Sequence, residues 1–171
     1  MTMHENFATE ILYGRDHDAI RIFISSKMDG SLDTERRSAA GAINRLDTHK
    51  SWWWEEDAPA GVLHSELECI QFARTSDGLI LLVAGDLSDI IYSEYRAARA
   101  ANAETYIFIR EQDDLPDDVR TFITEERKGI VTRNFQNTAE LETYIYSSLR
   151  RTVVRAARQV QLSRNNEQQR K

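Results

Sequence analysis

Short aliphatic runs alternate with segments of helical period along most of the chain, and that alternation restricts the fold more than any single motif does. Residues 19–24 open the series, with Ile20, Ile22 and Ile24 on one side and Phe23 on the other. After Ser25-Ser26 a helix is expected, capped by Asp33 and carrying Ala39, Ala40, Ile43 and Leu46 at three- and four-residue spacing. Trp52, Trp53 and Trp54 read as a second strand, closed by Glu55-Glu56 and by a turn at Pro59 and Gly61. Leu63, Leu67, Ile70 and Ala73 make a second helix. Residues 79–84 are almost unbroken aliphatic and too few for a helix, which suits a strand buried on both faces. Gly85-Asp86 ends that run, and an alanine-rich helix over 90–101 follows. A strand at 106–109, a helix from Pro116 to Gly129 and a short strand at 130–131 come next. Asn137 with Glu140 forms a capping box for a long helix, with Leu141, Ile145, Leu149, Val153, Ala156 and Val160 in one stripe.

Strict alternation of strand and helix predicts a five-stranded parallel sheet with helices on both faces, because parallel strands need crossovers. The expected fold is a three-layer α/β sandwich of flavodoxin type, order 2-1-3-4-5. At 171 residues the chain suits one domain over 19–161, with an extension at 1–18 and a polar tail at 162–171 expected to be disordered. Apolar residues at 41% and charged residues at 29% permit a packed core. No run approaches the ~20 apolar residues of a membrane span, and no leader is evident, so no membrane contact and a cytoplasmic location are expected. The net charge of -6 argues against nucleic acid as a partner of the whole chain. That charge is unevenly spread. Residues 150–171 hold six Arg and one Lys against one Glu, a local balance of +6 that leaves -12 elsewhere. A basic terminal helix that docks on an acidic surface, of a partner protein or of a second copy in a homo-oligomer, is the expectation.

Several chemistries are excluded by what is missing. Cys69 is the only cysteine and the four histidines are dispersed, so an intrachain disulfide and a cysteine-histidine zinc site are ruled out and no metal is expected. The seven glycines form neither G-x-G-x-x-G nor G-x-x-x-x-G-K, and no G-x-S-x-G elbow occurs. Ligands of open parallel sheets bind beyond the carboxyl ends of the strands, where strand order reverses. For order 2-1-3-4-5 that crevice lies between the first and third strands. Ser25, Ser26, Gly85, Asp86 and Glu94 converge there, with Glu55 and Trp54 at the end of the neighbouring strand. A single carboxylate can stabilise an oxocarbenium-like transition state, which points to cleavage of an N-glycosidic bond. Each residue also has a plainer reading. Glu94 would suit a helix dipole, the serines a turn, and the tryptophans a core. Glu55 could pair with Arg36 and Asp86 could cap a segment, while Cys69 reads as a small buried apolar group.

The same residues carry a family resemblance. Ile22-Phe23-Ile24-Ser25-Ser26, Glu35-Arg36, Trp54-Glu55, Glu68-Cys69, Ser76-Asp77 and Ser93-Glu94-Tyr95 with Ala98 resemble an uncharacterised domain family often fused to STAND-type ATPases. That family looks like a relative of TIR domains and nucleoside deoxyribosyltransferases, and the match runs over about residues 20–149. The resemblance implies a flavodoxin-like sheet, NAD or a related nucleotide as substrate, no separate cofactor, and Glu94 as the catalytic residue. Ser25, Ser26, Trp54, Glu55 and Asp86 would then bind substrate. A small TIR-like chain resembles signal-producing subunits of bacterial antiviral systems, in which an effector protein responds. Two alternatives stay open: a deoxyribosyltransferase-like enzyme, and a module that binds a nucleotide or a protein without turnover.

Overall fold

The computed structural model describes residues 18–58, 60, 65–111 and 114–168. Expectations for Pro59, Gly61 and Leu63, and for most of the 1–18 extension, lie outside them. Five strands are present: β1 (Ile20–Ser25), β2 (His49–Trp52), β3 (Gly78–Val83), β4 (Glu104–Arg110) and β5 (Arg133–Phe135). All pair in parallel, in the order β2-β1-β3-β4-β5, as the alternation predicts. The helices between them are α1 (Asp33–Asn44), a single turn α2 (Trp54–Asp57), α3 (Ser65–Thr75), α4 (Asp89–Ala100), α5 (Asp117–Glu126) and α6 (Thr138–Gln168).

Period-two side-chain direction sorts the central strands into two cores. Ile22 and Ile24 of β1, with Ile80 and Leu82 of β3, meet Ala39 and Ile43 of α1 and Leu141, Ile145 and Leu149 of α6. Phe23, Leu79, Leu81 and Val83 face the opposite way, onto Ala73 of α3, Ile91, Tyr95 and Ala98 of α4, and Val119 and Ile123 of α5. Every residue of β3 is buried, which is why its sequence is aliphatic without alternation.

Four local differences from the sequence reading have physical causes, the first being that Asp33 enters α1 as its first residue, with Leu32 at the N-cap, and pairs with Arg36 instead of capping. The strand at the tryptophans stops at Trp52 because the Asp57 carboxylate accepts a 2.8 Å hydrogen bond from the Trp53 amide and closes a helical turn. The three indoles therefore part: Trp52 stacks between Phe23 and Phe72, Trp53 enters the α1 core, and Trp54 turns toward the ends of the strands. The fifth strand forms at Arg133–Phe135, not at 130–131, where Ile130 packs under α5 and Val131 is 82% exposed. Finally, α6 continues to Gln168 through residues whose polarity suggests disorder. Its start is as expected: the Asn137 carboxamide accepts the Glu140 amide, and the Glu140 carboxylate accepts the Gln136 amide, both at 2.9 Å.

Candidate active site

Glu94 sits at the sixth helical position of α4, beyond the first turn in which a helix dipole favours a carboxylate. Its direction is set by the buried stripe Ile91, Glu94, Tyr95 and Ala98, so it occupies a place where an aliphatic side chain would be ordinary. It is only 6% exposed. The plain dipole reading therefore does not account for it, since a carboxylate on the inward face of a helix loses hydration that dipole stabilisation does not restore.

At the end of β1, Ser25 donates its hydroxyl to Glu94 Oε2 at 2.5 Å. From α3, the Cys69 side chain makes a second hydrogen bond to the same carboxylate. Burial outweighs both donors and pushes the Glu94 carboxyl up to about 7. A group so placed is divided between its charged and neutral forms at physiological pH, which is unusual for a structural glutamate and useful for a catalytic one.

In front of Glu94 opens a cleft of about 200 Å³ at the carboxyl ends of β1 and β3. Its walls are mainly apolar, from Met28, Trp54, Ile90 and Ile91. Ser26 and Ser88 contribute hydroxyls, and Glu66 of α3 adds a second carboxylate. Ser26 is 5% exposed and its Oγ has no hydrogen-bond partner among the described residues. The described residues that line the cleft include no Lys, Arg or His. Lys27, next to Ser26 in the chain, is instead engaged by Asp86 and, at 3.2 Å, by Asp29. A phosphate here would meet carboxylates and an already neutralised lysine, whereas a cationic or neutral ring would meet apolar walls and one buried carboxylate.

The structure thus brings together Ser25, Ser26, Trp54 and Glu94. Asp86 is not part of the cleft: Gly85, in the left-handed region, turns the chain so that Asp86 faces Lys27 on the exposed surface, which holds its carboxyl below the usual carboxylate range. It ties the loop after β3 to the loop after β1. Glu55 lies in α2, directly after Trp54, and its side chain is outside the described atoms. Sequence reasoning missed Glu66 and the role of Cys69. One signal was available for both: α3 runs back from the carboxyl edge of the sheet, so polar groups in its first turns stand beside the crevice. Among the described residues no group of three His, Cys, Asp or Glu could hold a metal ion, and no helix is long and apolar enough to cross a membrane.

No protein-family model matches the chain, and no curated protein matches it. Among solved structures, the metal-soaked flavodiiron core of Flv1 from Synechocystis superposes with a TM-score of 0.50 at 13% identity, over 87% of this chain and 40% of that one. The chain thus spans less than half of that structure. A flavodoxin-like domain of a Synechococcus protein aligns with a TM-score of 0.45 at 15% identity, covering 76% of this chain and 99% of that domain. Sheet order and likeness together define the class: a flavodoxin-like, doubly wound α/β domain. At such identities the likeness is one of fold and says nothing of activity.

Proposed function

We propose that this domain cleaves the N-glycosidic bond between nicotinamide and ribose in NAD or a related pyridinium nucleotide. The observation that carries the reading is the buried Glu94 carboxylate, held by Ser25 and Cys69 and facing an apolar cleft. Nicotinamide is bound to ribose as a cation, so it departs neutral with the C–N electron pair and needs no protonation, while water adds at C1′ and releases a proton. What the transition state needs is a negative group at the sugar, where positive charge develops on the anomeric carbon and ring oxygen. A carboxylate in a low-dielectric cleft supplies that stabilisation more strongly than one in water. A neutral base, as in deoxyribosyl transfer, would ask instead for a well-placed acid. Trp54 offers a ring face for the nicotinamide or its ribose, and the small cleft takes only that end of the dinucleotide. The adenosine half and both phosphates would lie outside it. An ADP-ribose-derived product is the form in which such a domain would signal to an effector protein.

The test is nicotinamide release from NAD by the purified chain, with Glu94→Gln beside it. Loss of one preorganised electrostatic group lowers rates by about 10²–10³. Glu94→Gln is expected to lose activity on that scale, and the wild-type rate should rise as pH passes upward through about 7, because the ionised form is the active one. Equal release by both proteins would remove Glu94 from the chemistry. Tight nucleotide binding with no product would leave a binding module.

A further inference from the structure

Within the cleft wall, Ser26 differs from its neighbour Ser25. The Ser25 hydroxyl is committed to Glu94, whereas the Ser26 hydroxyl is buried, belongs to a residue that lines the same cleft, and has no partner among the described residues. Buried hydroxyls are ordinarily hydrogen-bonded, and one left open at a ligand site waits for an atom of the ligand. Two features limit which atom that is. A phosphate oxygen is disfavoured by Glu94 and Glu66, with no cation on the described walls to balance them. A cleft of about 200 Å³ that already takes a pyridinium ring has room for the sugar and little more. The partner is then a sugar hydroxyl. The carboxylate that stabilises the ribosyl cation must stand against C1′, and the hydroxyl one carbon away is the 2′-OH.

We infer that Ser26 reads the 2′-hydroxyl of the bound sugar, so that the cleft selects ribosides over 2′-deoxyribosides. The inference rests on the N-glycosidase reading for the placement of C1′ at Glu94, and it adds a substrate class to that reading. Selection works because the deoxy ligand leaves the Ser26 hydroxyl as orphaned as it is in the free protein. The ribo ligand satisfies it.

The experiment measures binding, so that it does not depend on turnover. Nicotinamide riboside and its 2′-deoxy analogue are titrated by calorimetry into the Glu94→Gln chain, which consumes them about 10²–10³-fold more slowly, with Ser26 intact or changed to Ala or Thr. The riboside should bind about tenfold more tightly than the deoxy analogue, the value of one hydrogen bond of ordinary strength. Ser26→Ala should bring the ratio close to one by weakening the riboside alone, and Ser26→Thr should restore part of it. Ser26→Ala removes an unsatisfied hydroxyl, so it should melt no lower than its parent. Equal binding of the two ligands, or a ratio that survives Ser26→Ala, overturns the inference while leaving the glycosidase reading intact. A preference that depends on Ser26, without nicotinamide release by the wild type, keeps Ser26 and overturns the glycosidase reading. If neither ligand binds at millimolar concentration, both are wrong.

Discussion

At the scale of single residues, Glu94 is expected to trade stability for chemistry, and the trade has a definite sign with pH. Its carboxyl is raised from an ordinary value of 4.5 to about 7 in the fold. Below pH 4 it is neutral in both folded and unfolded chains. As pH rises from there the unfolded chain ionises first, so the contribution of this group to stability falls, and the fall is complete once pH passes about 7. Each tenfold change in the ionisation equilibrium is worth about 1.4 kcal/mol, so the loss is on the order of 3 kcal/mol. Glu94→Gln, which can still accept from Ser25, should therefore raise the melting temperature at pH 8 and change it little at pH 4. Thermal unfolding at the two pH values checks this; a Gln variant less stable at pH 8 would make Glu94 a structural group. Much of this site was legible in the sequence. The switch-point rule places the end of β1 beside the helix after β3, and Ser25 and Glu94 do meet. Asp86 was not placed correctly, because a backbone turn at Gly85 rather than any side-chain pattern decides where it points. Cys69 hid for a different reason: a thiol and a small apolar group look alike on a helix stripe until the facing atom is known.

Among the elements, β3 is the one whose register leaves least room for change. A Cβ built on Gly78 would stand 2.8 Å from Ile22 Cδ1 and 3.2 Å from the Glu104 carbonyl oxygen, so β1 and β4 close on this residue from both sides. Gly78→Ala is expected to destabilise by about 1–3 kcal/mol through overpacking. Gly41, in the middle of α1 and with open space where its Cβ would go, should respond oppositely. There alanine favours the helix by about 0.5–1 kcal/mol. Denaturant unfolding of the two variants measures both, and a shared sign would show that the packing at β3 is looser than those distances imply. Element type was readable wherever hydrophobic period was strong, as in β1, β3, α4 and the start of α6. At β5 and β2 the type was right and the bounds were displaced. The edge strand β5 pairs through its backbone while exposing Arg133 and Asn134, so no apolar pattern marks it. At β2 the run of tryptophans imitates a strand, and a single capping carboxylate, Asp57, bends it into a helical turn.

For the whole molecule, the uneven charge and the course of α6 make one problem. From Val154 to Glu167 every residue of α6 is exposed, about 20 Å of helix with no core beneath it. Isolated helices of that length are marginal in water, so this segment draws little stability from its own backbone. Its apolar stripe continues the one that packs on the sheet, through Val153, Ala156 and Val160, with Arg151, Arg155 and Arg158 on the other side. Two such helices laid stripe to stripe would bury the valines and turn the arginines outward, where the rest of a second chain, at -12, can meet them. The expected arrangement pairs the stripes of two copies while the arginines of each helix meet the acidic body of the other, reciprocally, so that the contacts close as a pair. Attraction of that kind is screened by salt, with a Debye length of about 10 Å at 0.1 M and about 3 Å at 1 M. Light scattering in low salt should then give a mass of two chains that falls toward one chain as salt is raised. Val160→Asp should produce the monomer even in low salt, by placing a charge on the apolar stripe. Because these residues contribute nothing to either core, the variant should keep the melting temperature of the monomer and its activity on NAD. A single-chain mass at every salt concentration would mean that α6 meets some other partner, and the charge on its end would then describe that partner rather than this protein.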